Sequence, residues 1–531
     1  MKTPGTISAS RGSERRLEIL FVSSRSCTVL LDPEGAYEAR KKHLLFLDGE
    51  EAGEEYRSVA SLFDLEPDTE YRLESRTEDG ETAETIFRTK PEVCTLNVRD
   101  FGAKGDGISD DTPMIQAAIL SCPEGGRVLV PAGDYAAGPL FLKSRMTLEI
   151  AAGATLCLLT DRMRFPVLPG AVPAENEQGE LLMGLWEGDA EPGFASALTG
   201  MDLEDTAVIG EGIVDGRGGE GDWWIRPKEK RVAWRGHLLY LQRCRRFTVQ
   251  GITFRNSPSW NLHPAFSEEL DFLDIRIEAP WDSPNTDGFD PESCRKVRLL
   301  GTEISVGDDC VALKSGKIGL GRKYRRPCED VEIAWCAMLN GHGGVTLGSE
   351  MAGGIRNVRV HHCYMRGNDR GLRIKTRRGR GKDGIIDGIL FEKVRMDGVK
   401  MPLIINSMYF CDPDGRSEWV QSREKKPVDD TTPRIGSVRF EQVTATDCQA
   451  CAGYVLGLPE QPVEEVSLKQ CTFTFDPAAE PLIPVMAERI ESCCRRGLIL
   501  RNIRKAVLED VRHEGTDGEW IETENVEEIM E

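Results

Sequence analysis

The chain has 531 residues, more than one ordinary compact core accommodates, so several domains or an elongated repeat architecture is expected. Its formal net charge of -21 argues against nucleic acid and anionic membranes as partners, because a polyanion is bound by releasing its counterions to a basic surface; an acidic ligand requires a local basic cluster. No stretch reaches the roughly eighteen apolar residues of a membrane span, and the first twenty residues hold no apolar export core, so a cytoplasmic protein is expected, or an extracytoplasmic one if a leader was removed.

Residues 15 to about 90 alternate apolar and polar over short runs (Leu17-Ile19-Phe21, Tyr71-Leu73, Thr85-Phe87) between Gly, Pro, Asp and Glu turns, the pattern of a small antiparallel sandwich. The segment Leu65-Glu66-Pro67-Asp68-Thr69-Glu70-Tyr71 resembles the L-x-P-x-T-x-Y stretch of fibronectin type III domains, although the strand that carries a buried Trp in that family reads Cys27-Thr28-Val29-Leu30-Leu31. The reading is a fibronectin type III-like β-sandwich over residues 1–92, without catalysis of its own.

At Val98 the pattern changes. Residues Asp111 to Leu120 open with cap-type residues and a Pro in the first turn and read as a short helix, suited to covering the open end of a sheet stack. The segment 162–237 is rich in Gly, Pro and Glu and holds Trp186, Trp223, Trp224 and Trp234, which read as sugar-stacking platforms or as packing under a long loop. From Phe247 a strand unit recurs: F-T-V-Q-G-I-T-F, then L-D-F-L-D-I-R-I from 270, V-R-L-L-G-T-E-I from 297, V-E-I-A-W-C-A-M from 331 and V-R-V-H-H-C-Y-M from 358, with further copies from 389, 438 and 466. Spacings of 23, 27, 34, 27, 31, 49 and 28 residues, with insertions confined to the gaps, mark a solenoid. The missing Leu-x-x-Leu-x-Leu frame favours a right-handed parallel β-helix over a leucine-rich repeat, so the chain as a whole reads as all-β, with the β-helix over residues 93–531. The 49-residue gap holds an extra rung or a long loop. Cys336, Cys363 and Cys471 occupy apolar strand positions, which favours buried thiols over disulfides. Strand alternation points His361 and His362 to opposite faces, so no metal site is read there.

Four polar motifs follow the strands of four consecutive rungs: Asn285-Thr286-Asp287-Gly288, Gly307-Asp308-Asp309-Cys310, Gly341-His342-Gly343-Gly344 and Arg373-Ile374-Lys375. Counted from the start of each rung, Asp287 lies 17 residues on, Asp308 and Asp309 lie 11 and 12, His342 lies 11, and Arg373 and Lys375 lie 15 and 17. Similar offsets on rungs about 4.8 Å apart bring these side chains to one face. Glycoside hydrolysis needs a protonated carboxylic acid for the leaving group and an ionised carboxylate for water or direct attack, and repulsion among three aspartates keeps one of them protonated. Arg373 and Lys375, two apart on an extended chain, can hold a sugar carboxylate. They belong to the basic run from Arg370 to Lys382, in which Arg377, Arg378 and Arg380 read equally as substrate contacts or as a solvated loop. Singly, an Asp-Asp pair or N-T-D-G is ordinary turn chemistry, and His342 between glycines reads equally as a turn residue; four motifs in register carry the catalytic reading.

N-T-D, G-D-D, G-H-G and R-I-K in this order are similar to the four motifs of glycoside hydrolase family 28, the polygalacturonases, over residues from about 96 to at least 410. The opening V-R-D-F-G-A-K-G-D-G from Val98 and S-P-S-W-N-L-H-P from Ser257 add to the match, the second resembling the bacterial exo-acting branch. The resemblance implies a pectin-lyase-like β-helix that cleaves α-1,4-galacturonosidic bonds with inversion and without cofactor or metal. In it Asp308 is the general acid, Asp287 and Asp309 activate water and His342 orients the acid. Asn285, Arg373, Lys375 and Tyr409 bind the galacturonate beside the scissile bond; His263 reads either as a further substrate contact or as a buried structural histidine. Inversion in turn predicts acid and base roughly 6.5 to 9.5 Å apart. Exo action from the non-reducing end is expected, with the insertions and the extra N-terminal domain closing the groove into a pocket. Rhamnogalacturonan or xylogalacturonan hydrolysis, a calcium-dependent pectate lyase and a non-catalytic carbohydrate-binding solenoid are the alternatives on this fold.

Overall fold

The computed structural model describes residues 15–531; the opening fourteen, on which most of the export-signal reading rests, lie outside them. Strands dominate both of the compact units into which the chain divides at Glu92 and Val93.

In the first unit, one sheet orders Arg15–Arg16, Thr82–Arg88, Glu70–Thr77, Glu38–Leu47 and Glu50–Arg57, and a second joins Glu18–Val22, Cys27–Leu30 and Val59–Leu62. Alternation along Glu70–Thr77 buries Leu73 and Ser75 and exposes Arg72 and Arg76, as a strand with one wet face must. Leu17, Val29, Leu45, Leu73 and Phe87 form the core. The backbone N–H of Glu66 donates to the Tyr71 hydroxyl at 2.8 Å, the corner bond by which sandwich domains pin a strand entry.

The second unit is a right-handed parallel β-helix. Each rung supplies a strand to three parallel sheets, as Arg295–Leu300, Glu303–Ser305 and Val311–Leu313 do, followed one rung on by Cys328–Ala334, Ala337–Asn340 and Val345–Leu347. Side chains of equal register stack into columns. Phe247, Leu270, Val297, Val331, Val358, Ile389, Val438 and Val466 form one, each 2 % exposed or less. At about 1.5–3 kcal/mol per fully buried apolar side chain, such columns are the main favourable term holding the rungs together. The predicted helix is found as Thr112–Ser121, with Ile115, Ala118 and Ile119 packed into the solenoid core. Asp111, before it, accepts the backbone N–H groups of Lys104 and Gly105 at 2.6 and 2.9 Å.

One detail settles a sequence alternative and another replaces an expectation. Of an extra rung or a long loop, the 49-residue gap is the loop, because Ile385–Glu392 pairs directly with Ser437–Glu441. His361 and His362 do not diverge: His362 sits at the corner between two strands with φ +52°, and this left-handed residue breaks the alternation, so the two Nδ1 atoms lie 2.9 Å apart. The same corner carries the thiols, since Cys336, Cys363 and Cys471 each donate to the carbonyl two residues back at 3.2–3.3 Å. No disulfide occurs among the described residues.

Candidate active site

The third sheet forms the floor of the site. Backbone hydrogen bonds repeat from turn to turn at its leading edge: Gly288 N–H to the Asp309 carbonyl, Cys310 N–H to that of Gly343, and Gly344 N–H to that of Arg370, at 2.8–3.0 Å. Asp287, Asp309, Gly343 and Arg370 therefore occupy equivalent positions on successive rungs. The glycine is a steric requirement, since a Cβ at Gly343 would lie 2.7 Å from Asp309 Oδ1 and collide with Thr346 Oγ1. Further along the sheet, Arg373 stacks on Thr346, and Lys314 pairs across from Glu292.

Asp287, Asp308 and Asp309 each bring an oxygen within 4.8 Å of the others. The separation of 6.5 Å or more is not found between these closest atoms, because Asp308 and Asp309 are chain neighbours and Asp287 is one rung spacing away. Arg373 Nη1 donates to Asp309 Oδ1 at 3.1 Å and Lys375 Nζ to Oδ2 at 2.9 Å. Burial opposes ionisation of Asp309, but Lys375 and Arg373 outweigh it and hold this carboxyl far below the usual range. Asp287 goes the other way: burial first, then the charges of Asp308 and Asp290, raise it well above the usual range. The three could converge on a cation, but Asp309 has both oxygens on protein cations.

Beneath this trio, Lys314 Nζ lies 3.2 Å from Asp290 Oδ1, 3.6 Å from Glu350 Oε2 and 4.5 Å above the Trp260 ring. The Asp290 contact lacks hydrogen-bond geometry, leaving both carboxyl oxygens without a hydrogen bond; burial pushes Asp290 up to about 8. Against the cost of burial, Lys314, Lys375 and Arg380 hold Glu350 down to about 2.

Lys314, Glu350 and Trp260, though not Asp290, line a cavity of about 550 Å³ that takes in Asp287, Asp308, Asp309, His342, Asn285, Arg373, Lys375 and Tyr409. His342 is half-exposed, and its bond to Asp369 (Nδ1 to Oδ2, 2.9 Å) raises its pKa. Asn285 Oδ1 accepts from Arg235 Nη2 at 2.8 Å. The Tyr409 ring centroid lies 5.9 Å from the Arg373 guanidinium and 5.7 Å from Lys375 Nζ.

His263 is placed elsewhere. It is fully buried, does not line the cavity, and meets Glu292 Oε2 through Nε2 at 3.0 Å and His237 through Nδ1 at 3.3 Å, so its substrate-contact reading gives way to the structural one. Arg377, Arg378 and Arg380 are buried in ion pairs with Asp412 and Asp414, Glu460, and Asp412 respectively. Trp186 stacks between Trp234 and Trp260 at 4.7 and 5.6 Å, and Trp223 packs on Phe165 and Phe194. The insertion reaches the cavity instead through Glu187 and Lys228. Sequence reasoning missed Lys314, Glu350 and Arg370. Lys314 carried one signal, its place beyond Asp308-Asp309 in a run that ends a buried strand.

The family model for glycosyl hydrolases family 28 matches residues 127–481, and one for rhamnogalacturonase A/epimerase, pectate lyase-like, matches 95–152. A probable polygalacturonase of Vitis vinifera is 30% identical over 381 residues, covering 70% of this chain and 73% of its own. The structure of a hyperthermoactive exopolygalacturonase from Thermotoga maritima is 25% identical with a TM-score of 0.65, covering 80% of this chain and 92% of its own. A family 28 exopolygalacturonase from Yersinia enterocolitica, 17% identical, shares the fold over 98% of this chain and 99% of its own at a TM-score of 0.71. Relatives named as endo-acting and as exo-acting both occur.

Proposed function

The chain belongs to glycosyl hydrolases family 28 and is a glycoside hydrolase, and on that premise we propose that it cleaves α-1,4-galacturonosidic bonds of galacturonan from the non-reducing end. The observation that carries the chemistry is the carboxylate trio within 4.8 Å, one member held ionised by two cations and another keeping its proton. Asp309 draws a proton from the attacking water, while the proton that the neighbouring Asp287 and Asp308 carboxyls share is delivered to the leaving oxygen through Asp308, half-buried beside His342.

The close spacing resembles that of retaining pairs, but both Asp309 oxygens are engaged by Arg373 and Lys375, which leaves neither free to attack the sugar directly and favours a single inverting displacement. NMR of the first product tests this: inversion releases the β-anomer, and initial α-anomer would exclude it.

Exo action rests on the insertion, which brings Glu187 and Lys228, 3.4 Å apart, to the cavity wall. On polygalacturonate, release of one small product supports it; an early ladder of mixed oligomers would show endo action.

A further inference from the structure

Of the four cations at the cavity floor, Arg373 and Lys375 donate to Asp309, and Lys314 lies between two carboxyl groups, Asp290 at 3.2 Å and the ionised Glu350 at 3.6 Å. The fourth has neither arrangement. Arg370, whose side chain is 12 % exposed, comes no nearer than 3.7 Å to Asp369 Oδ2, too long for a hydrogen bond. That carboxylate already binds His342 at 2.9 Å and Lys400 at 2.7 Å. Burial, with the like charge of Arg373, pulls the Arg370 guanidinium down to about 10, so it stays charged. A largely buried guanidinium without a bonded counter-charge is costly, and here it faces a cavity open to solvent.

Its place in the fold gives the cost a purpose. Arg370 stands in the column of Asp287, Asp309 and Gly343, two rungs beyond Asp309, or about 9–10 Å. Gly343 leaves the position between them empty. The gap is wide enough for a sugar ring, with the reacting carboxylates at one end and a planar, five-donor cation at the other. Arg373 and Lys375, by contrast, are already engaged in keeping Asp309 ionised.

Taking the galacturonan reading as its basis, we infer that Arg370 is a specificity-determining residue that grips a uronate carboxylate of the substrate. A guanidinium can take both carboxylate oxygens in parallel hydrogen bonds, and a methyl ester removes the charge that makes such a contact strong.

The test compares wild type, Arg370→Gln and Arg370→Lys on digalacturonate and its methyl ester, with equilibrium binding measured by calorimetry in an Asp308→Asn background that stops turnover. Arg370→Gln is expected to weaken digalacturonate binding and raise KM by about tenfold or more with kcat within about threefold. The lysine variant should recover part of the loss, and the ester should bind wild type and glutamine variant about equally. Unchanged digalacturonate binding in a folded Arg370→Gln protein would overturn the assignment. So would a loss confined to kcat, the result if Arg370 served only to support Asp369 and His342. Absence of galacturonan turnover by wild type, with the binding differences intact, would instead sink the functional reading and leave Arg370 as a uronate contact.

Discussion

Asp309 and Asp287 are the same residue type one rung apart, yet their surroundings drive them in opposite directions, the difference on which the proposed mechanism rests. Replacing Asp308 by Asn should lower kcat by about 10²–10⁴-fold, the usual worth of a general acid, with an unchanged melting temperature. A fully active variant would remove Asp308 from the mechanism. Asp290 makes a separate prediction. Its folded-state pKa of about 8 lies above the roughly 3.9 of an unfolded Asp. Between these values the folded state keeps a proton that the unfolded state has lost, so stability falls as pH rises. Melting temperature should therefore drop from pH 5 to 8, and drop less in Asp290→Asn, which cannot ionise; equal slopes would show that Asp290 titrates normally. From the sequence the four motifs were legible because each is local, whereas Lys314 and Arg370 were not, because their importance comes from what stacks above and below them.

At the scale of the element, the turn holding Gly343 is as important as the charged residues. Gly343→Ala should cut kcat at least tenfold by displacing the Asp309 carboxylate and lower the unfolding free energy by about 1–3 kcal/mol through the clash with buried Thr346; normal kcat would mean that the turn relaxes. In the sheet behind, Phe272→Ala removes a fully buried ring and should cost about 3–5 kcal/mol by urea denaturation. The strands could be read from the sequence because their inward residues repeat with both the period of the strand and the period of the rung. The corners were harder. A left-handed residue such as His362 carries no glycine to announce it, which is why two histidines expected on opposite faces touch. The basic run misled in part for a related reason: whether Arg377, Arg378 and Arg380 face water depends on where the distant acids Asp412, Asp414 and Glu460 fold back onto them.

For the whole molecule, the net charge of -21 and the cationic cavity floor act over different ranges. Surface repulsion of a polyanion is screened over about 10 Å at 0.1 M salt, whereas buried contacts a few ångströms long are screened much less. The KM for polygalacturonate should accordingly fall as salt rises from 10 to 100 mM, with digalacturonate much less affected; a parallel rise for both would mean that the local attraction dominates at all distances. The thiols at the rung corners have a consequence of another kind. Burial pushes Cys294 and Cys448 up to about 12 and Cys363 well above the usual range, so in the native state they carry almost no reactive thiolate. They are spread along much of the stack, each exposed only when its own turn opens. Alkylation followed by mass spectrometry would thus time the opening of individual turns, with the solenoid's own sulfur atoms as the clock.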